Sequence, residues 1–159
     1  MAPANRNPEL AVKISQMRLT IAPIVHVLTG QPHPEFPSTM LGLFLLTEDQ
    51  LDAMARYYSQ LAPDAHTFSY PQYMDWSKPF LSKPKPGDTE DESCRLSDYE
   101  RLKIKMRMFA RFIGMRGAET PQWEYERQIE LLRANINKTL EEEGRLQSRK
   151  WYGGPPAIP

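Results

Sequence analysis

The side chains best suited to chemistry in this sequence are three histidines and one cysteine: His26, His33, His66 and Cys94. Acid–base or nucleophilic catalysis needs such a group together with a partner that orients it. His26 lies on the far side of the apolar face of the first predicted helix, and His33 lies between two prolines. Cys94 borders a segment predicted to be mobile, so its thiol has no rigid surroundings that would activate it. An enzyme is therefore the less favoured interpretation.

His66 is the best placed of the histidines, because Asp64 precedes it and an aromatic-rich segment follows it. A carboxylate can stabilise a protonated imidazole, and aromatic walls can form a ligand pocket. Two prolines interrupt the segment 66–80, so we expect an ordered loop that packs across helices. The alternative function is thus a small-molecule enzyme or binding site, with His66 as the catalytic candidate. Its pocket would be lined by His66, Tyr70, Tyr73 and Trp76.

The strongest signal for binding lies in the predicted helix 97–114, which carries two apolar stripes instead of one. The first stripe consists of Tyr99, Leu102, Met106, Phe109 and Ile113. The second consists of Ile104, Met108 and Phe112, on nearly the opposite side. Basic residues repeat between the stripes at Lys103, Arg107 and Arg111, and Arg101 and Lys105 flank the other side of the helix. This is more apolar surface than one core contact requires.

The two stripes of helix 97–114 allow three interpretations. The helix can be central and covered on both sides, with its charges neutralised by acidic residues of the same chain. Alternatively, the second stripe is exposed and binds another protein, and the basic line would steer an acidic partner toward it. A nucleic-acid site is disfavoured, because no recognised module accompanies the basic line. We therefore expect a protein interaction or scaffold module, with the binding residues Lys103, Ile104, Arg107, Met108, Arg111 and Phe112.

Composition narrows the remaining classes of function. Twenty Lys and Arg balance twenty Asp and Glu, so no global field attracts nucleic acid or an anionic membrane. A single cysteine excludes an internal disulfide framework and a thiolate zinc cluster. No apolar run reaches the length of a membrane span or a signal peptide, and no glycine-rich phosphate loop is present. We expect a cytoplasmic or nuclear protein with no cofactor and no metal.

Capping residues and apolar spacing place the helices in the first half of the chain. Asn7 followed by Pro8 opens a first helix, whose apolar stripe continues to about Gly30. Pro23 should bend or split that helix near Thr20. The apolar run 40–46 is a helix, an extended core segment or a buried strand, and the lack of a second strand favours the first two.

Three further helices are predicted after this run. A capping box at Thr47 opens a helix over 48–61, and a second box at Ser97 opens the helix that ends at Gly114 or Gly117. The last helix follows Thr120 and Pro121 and continues to about Lys150. Its apolar stripe is narrow, which leaves a homodimer open. That stripe consists of Tyr125, Ile129, Leu132, Ile136 and Leu140.

The remaining segments are predicted to be irregular. Residues 82–96 change to a proline-rich and then acidic composition that indicates a mobile linker, in which Thr89 could accept a phosphate. Residues 151–159 contain two glycines and three prolines, which predict a disordered tail. The chain as a whole, 1–159, is predicted to be a single all-α domain: a compact bundle of about four or five helices with long proline-rich connections.

Overall fold

The structure, a computed structural model, describes residues 7–88 and 92–151, with side chains up to residue 148. These residues form five α-helices and no strand, which confirms the predicted all-α fold. Three short 3-10 turns also occur, at Thr67–Ser69, Pro79–Leu81 and Glu92–Cys94. The helices are α1 (Pro8–Met17), α2 (Met40–Phe44), α3 (Glu48–Tyr57), α4 (Asp98–Phe112) and α5 (Gln122–Trp151).

The chain divides into two compact units. The first contains α1 to α4 and the loops between them, up to Lys83 and again from Asp98 to Glu119. The second contains the segment Pro84–Ser97 together with α5 and the residues that flank it. The single domain over 1–159 stays a prediction.

Helix α1 is shorter than its apolar stripe suggests. Asn7 caps it as expected, because its side chain accepts hydrogen bonds from the amides of Glu9 and Leu10. The helix ends at Met17, so the predicted continuation to Gly30 with a bend near Thr20 is wrong. Residues 18–39 instead form an irregular segment, closed by an antiparallel bridge between Thr20 and Thr39. Hydrogen bonds to distant backbone replace those of the predicted second half-helix.

Tyrosine hydroxyls hold this irregular segment against the first unit. Tyr58 donates to the carbonyl of Ile24 at 2.7 Å and accepts from the amide of His33 at 3.1 Å. The hydroxyl of Tyr70 accepts from the amide of Val27 at 3.2 Å. Burial raises the pKa of both phenols, because desolvation disfavours the phenolate. Backbone groups that lack a helical partner are thereby satisfied.

Helices α2 and α3 lie close to where the sequence predicts them. The run 40–46 contains α2, as the helical interpretation expected, and Leu43 is its buried residue. Thr47 and Gln50 form the predicted capping box at the start of α3. Helix α3 ends at Tyr57, four residues before the predicted end, because Ser59 has a positive φ of 55°. A hydrogen bond from the Gln60 amide to the Ala55 carbonyl then closes the last turn.

Helix α4 lies at the centre of the first unit, in contact with α2 and α3. It ends at Phe112, two residues before Gly114, the nearer of the two predicted ends. Gly114 has a φ of 83°, a left-handed conformation that glycine adopts without steric cost. The most deeply buried side chains around it are Leu43, Leu51, Met54, Tyr58, Met74, Ile104, Phe109 and Phe112. The ring of Phe112 packs against those of Tyr58 and Tyr70.

In the second unit, α5 contacts the turn Glu92–Cys94. Leu96 is buried, and the carbonyl of Arg95 accepts a hydrogen bond from Arg127 of α5. This end of the predicted linker 82–96 is thus attached to a helix. Its mobility elsewhere stays a prediction, and Thr89 lies outside the described residues. The predicted tail lies outside them too, apart from residue 151 at the end of α5.

Candidate functional site

The second apolar stripe of α4 is buried. Ile104, Met108 and Phe112 expose only 1%, 7% and 1% of their surface. The expectation that this stripe is open to a partner is therefore wrong for these three residues. The reason is that α4 is enclosed within its unit, where α2 and α3 pack against it. The burial of these three residues agrees with the other interpretation, in which α4 is a central helix.

Two basic side chains of α4 are also buried. The side chains of Arg101 and Lys105 expose 4% and 3% of their surface, yet both are charged groups. Arg101 binds both carboxylate oxygens of Glu48, at 2.6 and 2.9 Å. Lys105 donates to Glu48 at 2.8 Å and to Asp52 at 2.6 Å. These four residues, which we call the ionic cluster, join α3 to α4.

The rim of the ionic cluster adds further contacts. Asp98 accepts from Arg101 at 2.8 Å, and Lys83 pairs with Asp52 at 3.4 Å. The indole of Trp76 donates to Asp52 at 2.9 Å, and the Lys105 ammonium lies 5.6 Å from the centre of its ring. Within the described residues, no buried side-chain nitrogen or oxygen lacks a hydrogen bond. The cluster is therefore fully satisfied by the chain itself.

The pKa shifts of Glu48 and Arg101 agree with a structural role for the ionic cluster. Burial alone would raise the pKa of Glu48, but the hydrogen bonds and charges of Arg101 and Lys105 outweigh it and lower that pKa. The hydrogen bond to Glu48 raises the pKa of Arg101 despite its burial. Glu48 and Arg101 thus keep their charges at neutral pH. In a fully paired cluster, no group is available to bind or deprotonate a substrate. The ion pairs of the cluster hold α3 and α4 together.

A sequence signal for the ionic cluster does exist. Glu48 and Asp52 are four residues apart on α3, and Arg101 and Lys105 are four residues apart on α4. Residues at this spacing lie on one face of a helix, so the two pairs can meet when the helices pack. The matching acids lie on α3.

The expected basic line of α4 is divided between two environments. Lys103 and Arg111 are exposed, and the Lys103 ammonium lies 5.2 Å from the ring centre of Tyr99. Arg107 is half-buried, and its guanidinium donates to the carbonyl of Ala118 at 3.4 Å. Lys103 and Arg111 therefore remain as the accessible members of the predicted binding residues.

The four residues of the predicted aromatic pocket have different surroundings. Tyr70 packs on Phe112, and Trp76 bonds to Asp52, so both are buried in the first unit. Tyr73 is exposed and its ring contacts exposed Phe68 instead. Within the described residues no ring contact joins His66, Tyr70, Tyr73 and Trp76. Tyr70 and Trp76 are therefore core residues, and a pocket shared by all four side chains stays a prediction.

His66 also lacks the expected carboxylate partner. The carboxylate of Asp64 accepts hydrogen bonds from the backbone amides of His66 and Thr67, at 2.7 and 3.0 Å. These bonds close a turn, and the bond from the His66 amide is the main cause that lowers the pKa of Asp64. Asp64 therefore shapes the loop through its backbone, and no bond to the His66 imidazole forms.

Helix α5 presents the apolar surface that α4 does not. We call its exposed row of apolar side chains the α5 stripe: Tyr125, Ile129, Leu132, Ile136 and Leu140. Each exposes between 49% and 63% of its surface. Leu131, on another face of the same helix, exposes only 3%. The stripe is thus a continuous apolar face about sixteen residues long, which at 1.5 Å per residue is roughly 24 Å.

Two features are absent from the part of the chain that the structure describes. Histidine, cysteine and carboxylate side chains are nowhere grouped in threes that could hold a metal ion. In the same residues, no helix combines the length and apolar character needed to cross a membrane.

Comparison with known proteins found no match to a protein family, to a curated protein or to a solved structure.

Proposed function

We propose that this chain is a protein interaction module that binds a helical partner through the α5 stripe. One observation carries the proposal: five large apolar side chains, all about half-exposed or more, follow one another on a single helix face. Water contact with such a face is unfavourable, and contiguous exposed apolar patches mark interaction sites.

The form of the stripe favours a helix as its ligand. Its residues recur every three or four positions, and this spacing accepts the side chains of another amphipathic helix. The stripe contains one aromatic and four branched aliphatic residues, which supply buried area with little loss of side-chain freedom. An apolar row of this kind recognises shape and apolar surface more than charge.

Site-specific photo-crosslinking tests the proposal. A benzophenone amino acid replaces Leu132 in the full chain, which is irradiated in cell extract. The matched control carries the same group at Asn137, an exposed polar position on another face of α5. We expect a crosslinked protein product from position 132 and none from position 137. Products from both positions, or from neither, contradict the proposal.

A second candidate surface is the accessible basic edge of α4, which suits the acidic partner expected from the sequence. The specific observation is that Lys103 and Arg111 are exposed while their neighbours Arg101 and Lys105 are buried in ion pairs. Charge steering of this kind acts mainly on association rates. The double change Lys103→Glu and Arg111→Glu should leave folding intact and remove an acidic protein from a pull-down. An unchanged set of captured proteins would exclude this surface.

A further inference from the structure

The first four residues of the α5 stripe have a spacing that is the same in both directions. Tyr125, Ile129, Leu132 and Ile136 are separated by four, three and four residues. This is the apolar spacing of a two-stranded coiled coil. Two antiparallel copies of α5 would therefore pair Tyr125 with the partner's Ile136, and Ile129 with the partner's Leu132. Every apolar residue of this set meets an apolar residue.

Charges beside the stripe distinguish antiparallel from parallel pairing. Glu126 and Arg133 are both exposed and lie on the same flank, each directly after a stripe residue. Gln128 and Asn135, both uncharged, lie on the opposite flank. Antiparallel pairing places like flanks together, so Glu126 lies near the partner's Arg133, and the two-fold axis repeats the pair. Parallel pairing sets Glu126 and Arg133 against the uncharged flank.

Both members of this charge pair are accessible for it. Arg133 makes no ion pair with the described residues of its own chain. Glu126 accepts one hydrogen bond, from the side chain of Gln122 at 2.9 Å, and it remains exposed. The carboxylate has a second oxygen with which it can accept from an arginine.

The area available is sufficient for a specific but modest contact. The four paired side chains, each about half-exposed, contribute roughly 400 Å² per copy, so two copies bury roughly 800 Å² before the flanking residues are counted, an interface at the weak end of the range. We propose that the occupant of the α5 stripe is the α5 stripe of a second copy of this chain, paired antiparallel with Glu126 beside the partner's Arg133. This inference names the partner of the proposed function and rests on it.

Analytical ultracentrifugation of the full chain tests the dimer. The mass should rise with concentration from 18.4 kDa toward twice that value. Leu132→Asp places a charge in the centre of the stripe and should keep the chain monomeric at all concentrations. The control is Leu28→Asp, because Leu28 is 68% exposed but lies outside α5. Circular dichroism verifies that both variants fold. A wild-type chain that stays monomeric, or equal loss of the dimer in both variants, overturns the inference.

Disulfide trapping tests the orientation. Cys94, the only cysteine, is first replaced by serine, and Tyr125→Cys and Ile136→Cys are then made in separate chains. Antiparallel pairing brings position 125 close to the partner's position 136, so a mixture of the two chains should form a disulfide dimer and neither chain should do so alone. Dimers of the Tyr125→Cys chain by itself would indicate parallel pairing and overturn the antiparallel arrangement.

The photo-crosslinking product separates this inference from the proposed function. A product at position 132 with twice the mass of the chain supports both. A product that contains a different protein and no second copy retains the proposed function and overturns the dimer. The absence of any product at position 132 overturns both.

Discussion

Helices α4 and α5 carry similar apolar spacing but occupy opposite environments. In α4 the stripe of Ile104, Met108 and Phe112 is buried, and two of its basic residues are neutralised by α3. In α5 the stripe residues are exposed. The two helices differ in what packs against them, because α3 places two acidic residues at the spacing of the buried basic residues of α4. The periodicity of one helix therefore defines a face, and a complementary second helix decides whether that face is covered.

The largest expected effect concerns the ionic cluster that distinguishes α4. Glu48→Gln removes the carboxylate shared by Arg101 and Lys105 and leaves both cations buried with fewer anions. We expect a loss of about 3–5 kcal/mol in the free energy of unfolding, measured by urea denaturation. The control is Asp98→Asn, whose side chain is 89% exposed, and it should cost less than about 1 kcal/mol. Equal losses would mean that the cluster is not buried in solution.

The second prediction compares the two stripes directly. Met108→Ala in α4 should lower the free energy of unfolding by about 2–5 kcal/mol, because it leaves a cavity in a packed core. Ile136→Ala in α5 should change it by no more than about 0.5 kcal/mol, because the side chain is already exposed. Both variants are measured by urea denaturation at a concentration below that of any dimer. A large loss for Ile136→Ala would show that the α5 stripe is covered within the chain.

Local signals in the sequence account for most of the fold. Side-chain capping at Asn7 and Thr47 and the left-handed Gly114 each fix a helix end through contacts within a few residues. The first helix was predicted too long because its apolar residues continue past Met17. There the backbone bonds to distant groups, such as the hydroxyl of Tyr58, and helical periodicity carries no information about such partners.

The exposed apolar face could be predicted only in part. The sequence identified two stripes on α4 and one on α5, but it favoured the wrong stripe as the exposed one. Burial depends on which helices pack together, and α4 by itself does not contain that information. The pair of helices α3 and α4 does contain it, since Glu48 and Asp52 match Arg101 and Lys105 in charge and spacing.

The third prediction concerns the hydrogen bonds that attach the irregular segment 18–39 to the core around α4. Tyr58→Phe keeps the packed ring but leaves the Ile24 carbonyl and the His33 amide without their partner. We expect a loss of about 1–3 kcal/mol in the free energy of unfolding. Hydrogen exchange should also become faster at the His33 amide. Tyr73→Phe is the control, because Tyr73 is exposed, and its stability should be unchanged. Unchanged exchange at His33 would contradict the hydrogen bond.

The smallest expected effect is the pH dependence of the ionic cluster. The pKa of Glu48 in the folded chain is below its ordinary value of 4.5, so folding favours the charged carboxylate. Glu48 therefore contributes stability above pH 4.5, and this contribution is lost as the pH falls through the lowered pKa. The gap in melting temperature between wild type and Glu48→Gln should accordingly narrow from pH 7 to pH 3. The effect is limited because burial opposes the charged form. A gap in melting temperature that stays constant would mean that Glu48 stabilises the contact of α3 with α4 through its shape and through hydrogen bonds that do not depend on its charge. Helices α4 and α5 would then differ in packing alone.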